Sequence, residues 1–323
     1  MRQELDDTDR RIIAVLLASP RASWREIGTR LGLSERTVVR RATPLYADGT
    51  LRATAVPNPL YFPQLIPMAL RIRCRPSKIR QVAGALVRRT DTVWVDILGV
   101  GDELSAVFFL DGAEARNNLL LRDLPATDAV DSWTAHTLLR VFPTAFRWTA
   151  GLLSADEIAG LGPIVPRLPT APTPISRIDT ALIEALAKDG RATYTDLGQR
   201  AGITALTARR RLDALTRCLV LRLATEVDLA LLGAHSEALL WISVQPSSLD
   251  QTASALSTHP QVRFAAATTG PANLLIAVAA TDLDALYTFL TTTLGPLNGI
   301  TSIDTTPLLA TAKRTGLPRP FKA

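Results

Sequence analysis

Cysteine, histidine and long apolar runs are all scarce in this chain, and each shortage removes a class of function. Only Cys74 and Cys218 occur among 323 residues, too few for a disulfide framework, which fits a reducing compartment. The three histidines, His136, His235 and His259, are scattered over separate elements with no cysteine or acid at ligand spacing. No metal site is expected from them. Apolar stretches such as IIAVLLA and PANLLIAVAA are far shorter than the ~20 residues that cross a bilayer. The opening MRQELDDTDRR is acidic and mixed, without the apolar core of a signal peptide. A cytoplasmic protein with no membrane partner is expected. No G-x-S-x-G elbow, P-loop or dinucleotide fingerprint is present, so neither an enzyme nor a cofactor is expected. The five tryptophans are dispersed at positions that suit packing.

What is present is a duplication. Asp9, Arg21, Ala22, Gly28, Arg30, Gly32, Thr37, Arg40, Arg41 and Leu51 return as Asp179, Arg191, Ala192, Gly198, Arg200, Gly202, Thr207, Arg210, Arg211 and Leu221, each pair 170 positions apart. Trp24 with Tyr194, Glu26 with Asp196 and Ser34 with Thr204 fill gaps with similar residues. A period that long marks a duplicated domain pair rather than a solenoid.

Charge follows the repeat. Net charge is +6, but residues 1–56 hold ten arginines against seven acids, and residues 176–222 nine basic residues against five acids. Residues 223–310 hold Arg263 alone against seven acids. Basic heads and an acidic body predict that the heads face phosphates.

Hydrophobic spacing predicts a helix over 8–18, a short helix over 24–31, a Gly-containing turn and a third helix from the N-cap Ser34 to near Gly49. The second copy repeats this order, with Thr204 as N-cap. Helix, helix, turn, helix is the order of a helix-turn-helix domain, and TLRATAV and VLRLATEV supply a β-type exit from each. Two βαββαβ units follow, the ferredoxin-like order. The first runs from PMALRIRC to AVDSWTAHTLLRV and the second from ALLWISV to GITSIDTTPLLA. The fold class expected is α+β, with two winged helix-turn-helix domains alternating with two ferredoxin-like sensor domains. The boundaries are 1–56, 57–148, a proline-rich connector over 149–175 holding a Ser154–Glu157 capping box, 176–226, and 227–323.

LDDTDRRIIAVL, then RASWREIGTRLGLSERTVVRR, then a βαββαβ unit with a GVGD turn, resembles the leucine-responsive regulator/AsnC family. The resemblance covers nearly the whole chain, once per repeat. It implies a transcription regulator with double-stranded DNA as partner, an amino acid or related metabolite as effector, and homo-oligomeric assembly. Most members carry one such unit and pair through their sensor domains; this chain carries both halves.

The groove-facing positions this implies are Ser34, Arg36, Thr37, Arg40 and Arg41 in the first head. Thr204, Thr207, Arg209, Arg210 and Arg211 hold them in the second. An N-capped helix aims its first turn into the major groove while arginines reach phosphates or guanine edges. Glu35-Arg36 against Ala205-Leu206 predicts unlike half-sites. Pro44, inside the third helix where the second copy has Ala214, is expected to kink or end it. The resemblance places an effector at the turn between the second and third sensor strands: Gly99, Gly101 and Asp102 in one copy, Gly270 and Asn273 in the other. Asp102 can accept from an amino group, and Asn273 replaces the family's acid. Ligand is expected to act by changing sensor pairing and so head spacing. The competing class is a siroheme decarboxylase, which resembles the family in both domains. The strand ANLLIAVAA, aliphatic throughout and with no histidine expected beside it, stands against it.

Overall fold

The computed structural model describes residues 5–142, 148–159 and 175–319. These divide into two compact units, and each gathers the same part of both repeats. One unit comprises residues 5–61, 148–159 and 175–233, the other 62–142 and 234–319. Most of the connector expected over 149–175 lies outside the described residues, but its capping box is seen. Ser154 N donates to Glu157 Oε2 at 2.8 Å and Glu157 N to Ser154 Oγ at 3.3 Å, opening a helix at Ala155–Ala159 (α6).

The head unit contains α1 (Asp7–Ala18), α2 (Trp24–Leu31) and α3 (Glu35–Ala47), and their counterparts α7 (Arg177–Lys188), α8 (Tyr194–Ala201) and α9 (Ala205–Arg217). Ile12, Ile13 and Leu16 of α1 and Leu182, Ile183 and Leu186 of α7 are buried, as the helical stripe predicted. Every start is capped by a side chain: Asp6, Ser23, Ser34, Ser176, Thr193 and Thr204 each accept from a backbone N–H three residues on. Such caps contribute about 1 kcal/mol each.

Pro44 neither ends nor shortens α3, which has the same 13 residues as α9. The reason is its place. In the last turn the missing N–H forfeits one bond, while buried Leu45 and the Asp48 N–Pro44 O and Leu51 N–Leu45 O bonds hold the end.

The exit strands β1 (Arg52–Pro57) and β6 (Leu221–Glu226) do not fold back on their own heads. They pair with each other, antiparallel, with Thr54 opposite Ala224. Those two positions are themselves 170 apart, so the pseudo-dyad of the duplication passes through this pair.

The second unit is a closed barrel. β2 (Leu65–Cys74), α4 (Ile79–Arg88), β3 (Thr92–Leu98), β4 (Glu103–Asp111), α5 (Gly112–Asn118) and β5 (Val130–Val141) form one βαββαβ copy. β7 (Ser236–Val244), α10 (Leu249–Leu256), β8 (Val262–Thr268), β9 (Leu274–Ala280), α11 (Leu283–Thr288) and β10 (Ile300–Arg314) form the other. Each of α5 and α11 continues into a π-turn. The last strand runs to Arg314, beyond the expected end near 310, and hairpins onto β11 (Leu317–Pro318).

Strand order is β10-β3-β4-β2-β5-β8-β9-β7, closed by β7 on β10. Each copy therefore lends its last strand to the other: β5 joins β2 to β8, and β10 joins β7 to β3. The two junctions match residue for residue, since Leu138 faces Thr268 and Leu308 faces Leu98, each residue 170 from its counterpart. Closure removes the unpaired edges that four-stranded sheets would otherwise present. One core packs β2–β4 on α4 around Ile72, Leu104 and Phe108. The other packs β7–β9 on α10 around Leu240, Ile276 and Phe289.

Candidate nucleic-acid interface and effector loops

Each helix-turn-helix is tightened by one glycine. A Cβ on Gly28 would lie 2.6 Å from Leu33 O, and one on Gly198 2.7 Å from Ile203 O, so only hydrogen lets the second helix meet the turn. The turn then presents the third helix end-on. In α3 the buried stripe is Val38, Ala42 and Leu45, and in α9 it is Ala208, Leu212 and Leu215. The opposite face carries Arg36, Val39, Arg40 and Thr43 in α3, and Leu206, Arg209, Arg210 and Asp213 in α9, all exposed.

The sequence-predicted residues separate into three groups. Ser34 and Thr204 are caps, and their hydroxyls also meet those of Thr37 and Thr207 at 2.8 and 2.9 Å. Arg36, Arg40, Arg209 and Arg210 are exposed, outside the ion pairs of their own heads. Arg41 and Arg211 each make an ion pair within their own head, Arg41 half-buried and Arg211 exposed. Arg41 Nη1 donates to Asp6 Oδ2 at 2.6 Å and Asp9 Oδ1 at 3.0 Å, and Arg211 Nη1 to both oxygens of Asp179 at 3.3 Å. Asp9 and Asp179 are buried, and a buried carboxylate needs such a partner. The hydrogen bonds to Asp6 and Asp9 push the Arg41 guanidinium up. The Asp9 N–H, with Arg41, holds the Asp6 carboxyl below its usual range.

Sequence reasoning missed the clamp between heads. Arg191 Cζ stands 4.2 Å over the Trp24 ring and 5.6 Å from that of Tyr46. Its Nη1 donates to Pro20 O at 2.7 Å. Reciprocally, Arg21 Cζ stands 4.8 Å over Tyr194 and Nη1 donates to Gly190 O at 2.9 Å. Cross-head bonds add to it: Thr54 Oγ1 to Ala187 O, and Thr225 Oγ1 to Leu16 O. Gly190 touches the ribbon so closely that a Cβ there would lie 2.5 Å from Thr54 N. The available signal was the retention of Arg21 and an aromatic at position 24 in both repeats.

In the barrel unit, Gly99, Gly101 and Asp102 form the β3–β4 turn, with both glycines at positive φ. Gly99 N donates to Pro307 O of β10 at 2.9 Å. Thr269 N donates to Thr137 O of β5 at 3.0 Å, the same contact 170 positions on. This register corrects the expected match of Asp102 with Asn273. Asn273 pairs into the start of β9 at the place of Glu103, and its amide bonds the backbone of Val244 at 2.8 and 2.9 Å. Gly270 matches Val100, not Gly99.

The two turns differ in chemistry. Beside the first, Arg71 binds Glu103 through two nitrogens and also Asp304, which together raise its pKa. At the dyad-related place of Arg71 stands Trp241, packed against His136 with ring centroids 4.7 Å apart and the rings tilted by 38°. His136 Nδ1 lies 2.6 Å from Thr269 O, and a Cβ on Gly270 would meet that ring at 2.6 Å. A further buried network links Asp96, Thr311, Arg314, Glu237 and Arg263. Burial pushes Asp96 up. At Glu237, burial raises the pKa but Arg314 and Arg263 outweigh it, leaving it low. Among the described residues no group of histidine, cysteine and acids is arranged to hold a metal. None of their helices is long and apolar enough to cross a membrane.

Comparison with known proteins agrees with this architecture. Residues 5–45 and 175–216 match the AsnC-type helix-turn-helix domain, and residues 237–318 the Lrp/AsnC ligand binding domain. The chain belongs to the Lrp/AsnC family of helix-turn-helix transcription regulators, with the architecture duplicated. It is 26% identical over 148 residues to an uncharacterised HTH-type transcriptional regulator of Pyrococcus horikoshii, covering 46% of this chain and 93% of that protein. It is 29% identical over 133 residues to the Bkd operon transcriptional regulator of Pseudomonas aeruginosa, covering 40% and 87%. Among solved structures, the siroheme decarboxylase NirDL superposes with a TM-score of 0.60 at 10% identity, covering 96% of this chain and 93% of that one. At that identity the likeness is one of fold.

Proposed function

We propose that this chain is a sequence-specific DNA-binding regulator, without enzymatic activity, whose DNA affinity responds to an amino acid or related metabolite. The observation that carries the reading is the head pair. Two helix-turn-helix domains joined across a dyad each expose two arginines on the outer face of the third helix, at Arg36 and Arg40 and at Arg209 and Arg210. Phosphate contacts by Arg40 and Arg210 supply affinity, and the first turn of each helix, Arg36 included, reads base edges. The effector reading rests on the Gly99–Asp102 turn and on the family's ligand-binding domain. Because ribbon and clamp tie the heads together within their unit, intrachain head spacing is a poor candidate for what the effector changes. The test is an anisotropy titration of the chain with its own upstream DNA across a salt series, with and without amino acids. The logarithm of affinity should fall linearly with the logarithm of salt, with a slope near −0.9 per phosphate neutralised, and one amino acid should shift it. A salt-insensitive or absent association rejects the reading.

A second reading is favoured by one observation. The swap of β5 onto β8 brings His136 onto Trp241, whose strand pairs with β9, although no histidine lies beside β9 in sequence. NirDL shares the duplicated fold, so a tetrapyrrole enzyme is the rival. Titration with siroheme, followed in the visible spectrum, separates the two: a saturable spectral change supports the rival, and none supports the regulator.

A further inference from the structure

The two recognition faces carry the same charge in a different order. Along α3 the outward positions read Arg36, Val39, Arg40; along α9 the matching positions read Leu206, Arg209, Arg210. Each face has two arginines and one aliphatic residue, but the first two positions are exchanged. Leu206 is 58% exposed. It has no packing role in its own head, because the buried stripe of α9 is Ala208, Leu212 and Leu215 on the other side. An aliphatic side chain so exposed, two residues after an N-cap, suits contact with a thymine methyl, whereas an arginine at the same place suits guanine O6 and N7. Glu35 beside Arg36 is a carboxylate acceptor suited to cytosine N4, while Ala205 beside Leu206 offers no polar atom.

The head pair holds these unlike faces in a two-fold frame. β1 and β6 meet symmetrically about Thr54 and Ala224, and Arg21 and Arg191 clamp the opposite head reciprocally. Two identical subunits in such a frame require a palindrome, because symmetric geometry and symmetric chemistry come together. Here the geometry is two-fold and the chemistry is not.

Resting on the regulator reading above, we propose that one chain recognises a non-palindromic operator in a single orientation. Arg36 reads a guanine in the half-site of the first head, and Leu206 reads a thymine at the dyad-related position under the second. Arg40 and Arg210, retained in both heads, hold the backbone alike on the two sides. A regulator of this kind lands on its site with a defined front and back, which a symmetric dimer does not.

The experiment is repeated selection of the full chain on a random duplex library, followed by sequencing of the retained DNA. The expected product has two unlike halves, with guanine in one and thymine at the matching place in the other. It should be bound at least about ten-fold tighter than a palindrome built from either half, the discrimination of one good base contact. The chain carrying A205E, L206R and R209V repeats the first head's residues at the first-turn and central outward positions and should select a palindrome of the guanine half. The chain carrying E35A, R36L and V39R should select a palindrome of the thymine half. All six positions lie outside the buried stripes, and either variant alone suffices. A palindrome selected by the unaltered chain overturns the proposal while leaving the regulator reading standing. So does an unchanged site with both variants. Retention of DNA without enrichment of any sequence overturns both.

Discussion

Arg191 of the second head lies on the face of Trp24 of the first, its guanidinium carbon 4.2 Å from the ring centroid. The same arginine donates to Pro20 O and Ala22 O, so charge, ring and backbone are joined across the dyad at one side chain. Burial pulls its pKa down from the ordinary arginine value. Arg191→Ala removes a desolvated cation–π interaction and leaves carbonyls without a donor, a cost of roughly 2–4 kcal/mol. Arg191→Lys should restore little, because an ammonium cannot stack and fork together. Chemical denaturation followed by tryptophan fluorescence measures both variants. Equal stability of the lysine variant and the unaltered chain would reject the stacked clamp.

Gly28→Ala and Gly198→Ala each force a methyl group to within 2.7 Å of a backbone oxygen in the turn. Destabilisation of roughly 1–3 kcal/mol is expected for either, the usual range for a strained packing site. Gly32→Ala meets nothing within 4 Å and suffers only its positive φ of 67°, for about 1 kcal/mol. Hydrogen exchange of the second and third helices separates local from global loosening.

The arginines of the third helices should divide into two classes in solution. Arg40→Ala with Arg210→Ala leaves stability nearly unchanged, weakens DNA binding and flattens the log–log salt slope by about 0.9 for each phosphate no longer neutralised. Arg41→Ala and Arg211→Ala instead leave buried Asp9 and Asp179 without their cation, costing roughly 1–3 kcal/mol of stability. A thermal melt and a salt-controlled titration on the same variants test both halves.

His259 supplies a pH signature. Burial, with Phe289 5.0 Å away ring to ring, holds its imidazole below the ordinary 6.5. The unfolded chain therefore takes up the proton first as pH falls, and protonation favours unfolding. Stability from this group is complete above pH 6.5, erodes as pH drops through it, and levels off below the folded value. The slope should not exceed about 1.4 kcal/mol per pH unit. His259→Gln removes this component, so its unfolding free energy should depend less on pH between 7.5 and 5.5. An undiminished dependence would show that another group is responsible.

Local patterns announced most of this architecture. Caps at Ser34 and Thr204, the stripes of α1 and α7, and two βαββαβ orders were legible because each depends on neighbours within a few residues. Pairing between copies was not. TLRATAV reads as a strand, yet nothing in it says that its partner is VLRLATEV rather than a hairpin of its own. The swap of β5 and β10 is equally invisible, since a strand that joins two sheets has the same alternation as one that ends a sheet. At the site, the ion pair of Arg41 with Asp9 was not legible, because the two residues are 32 positions apart. The turn at Asn273 was misaligned by one residue because GVGDE and TGPAN share a glycine at different places, and backbone pairing decides the register.

The ribbon of β1 and β6 has a consequence for dosage. Readers assembled from two separate chains come apart on dilution, so the fraction able to grip both half-sites falls with the copy number of the protein. When both strands of the ribbon belong to one polypeptide, pairing is intramolecular, and its effective concentration does not depend on how much protein is present. On the proposed regulator reading, operator occupancy by a single chain would then follow a simple hyperbola rather than a steep threshold.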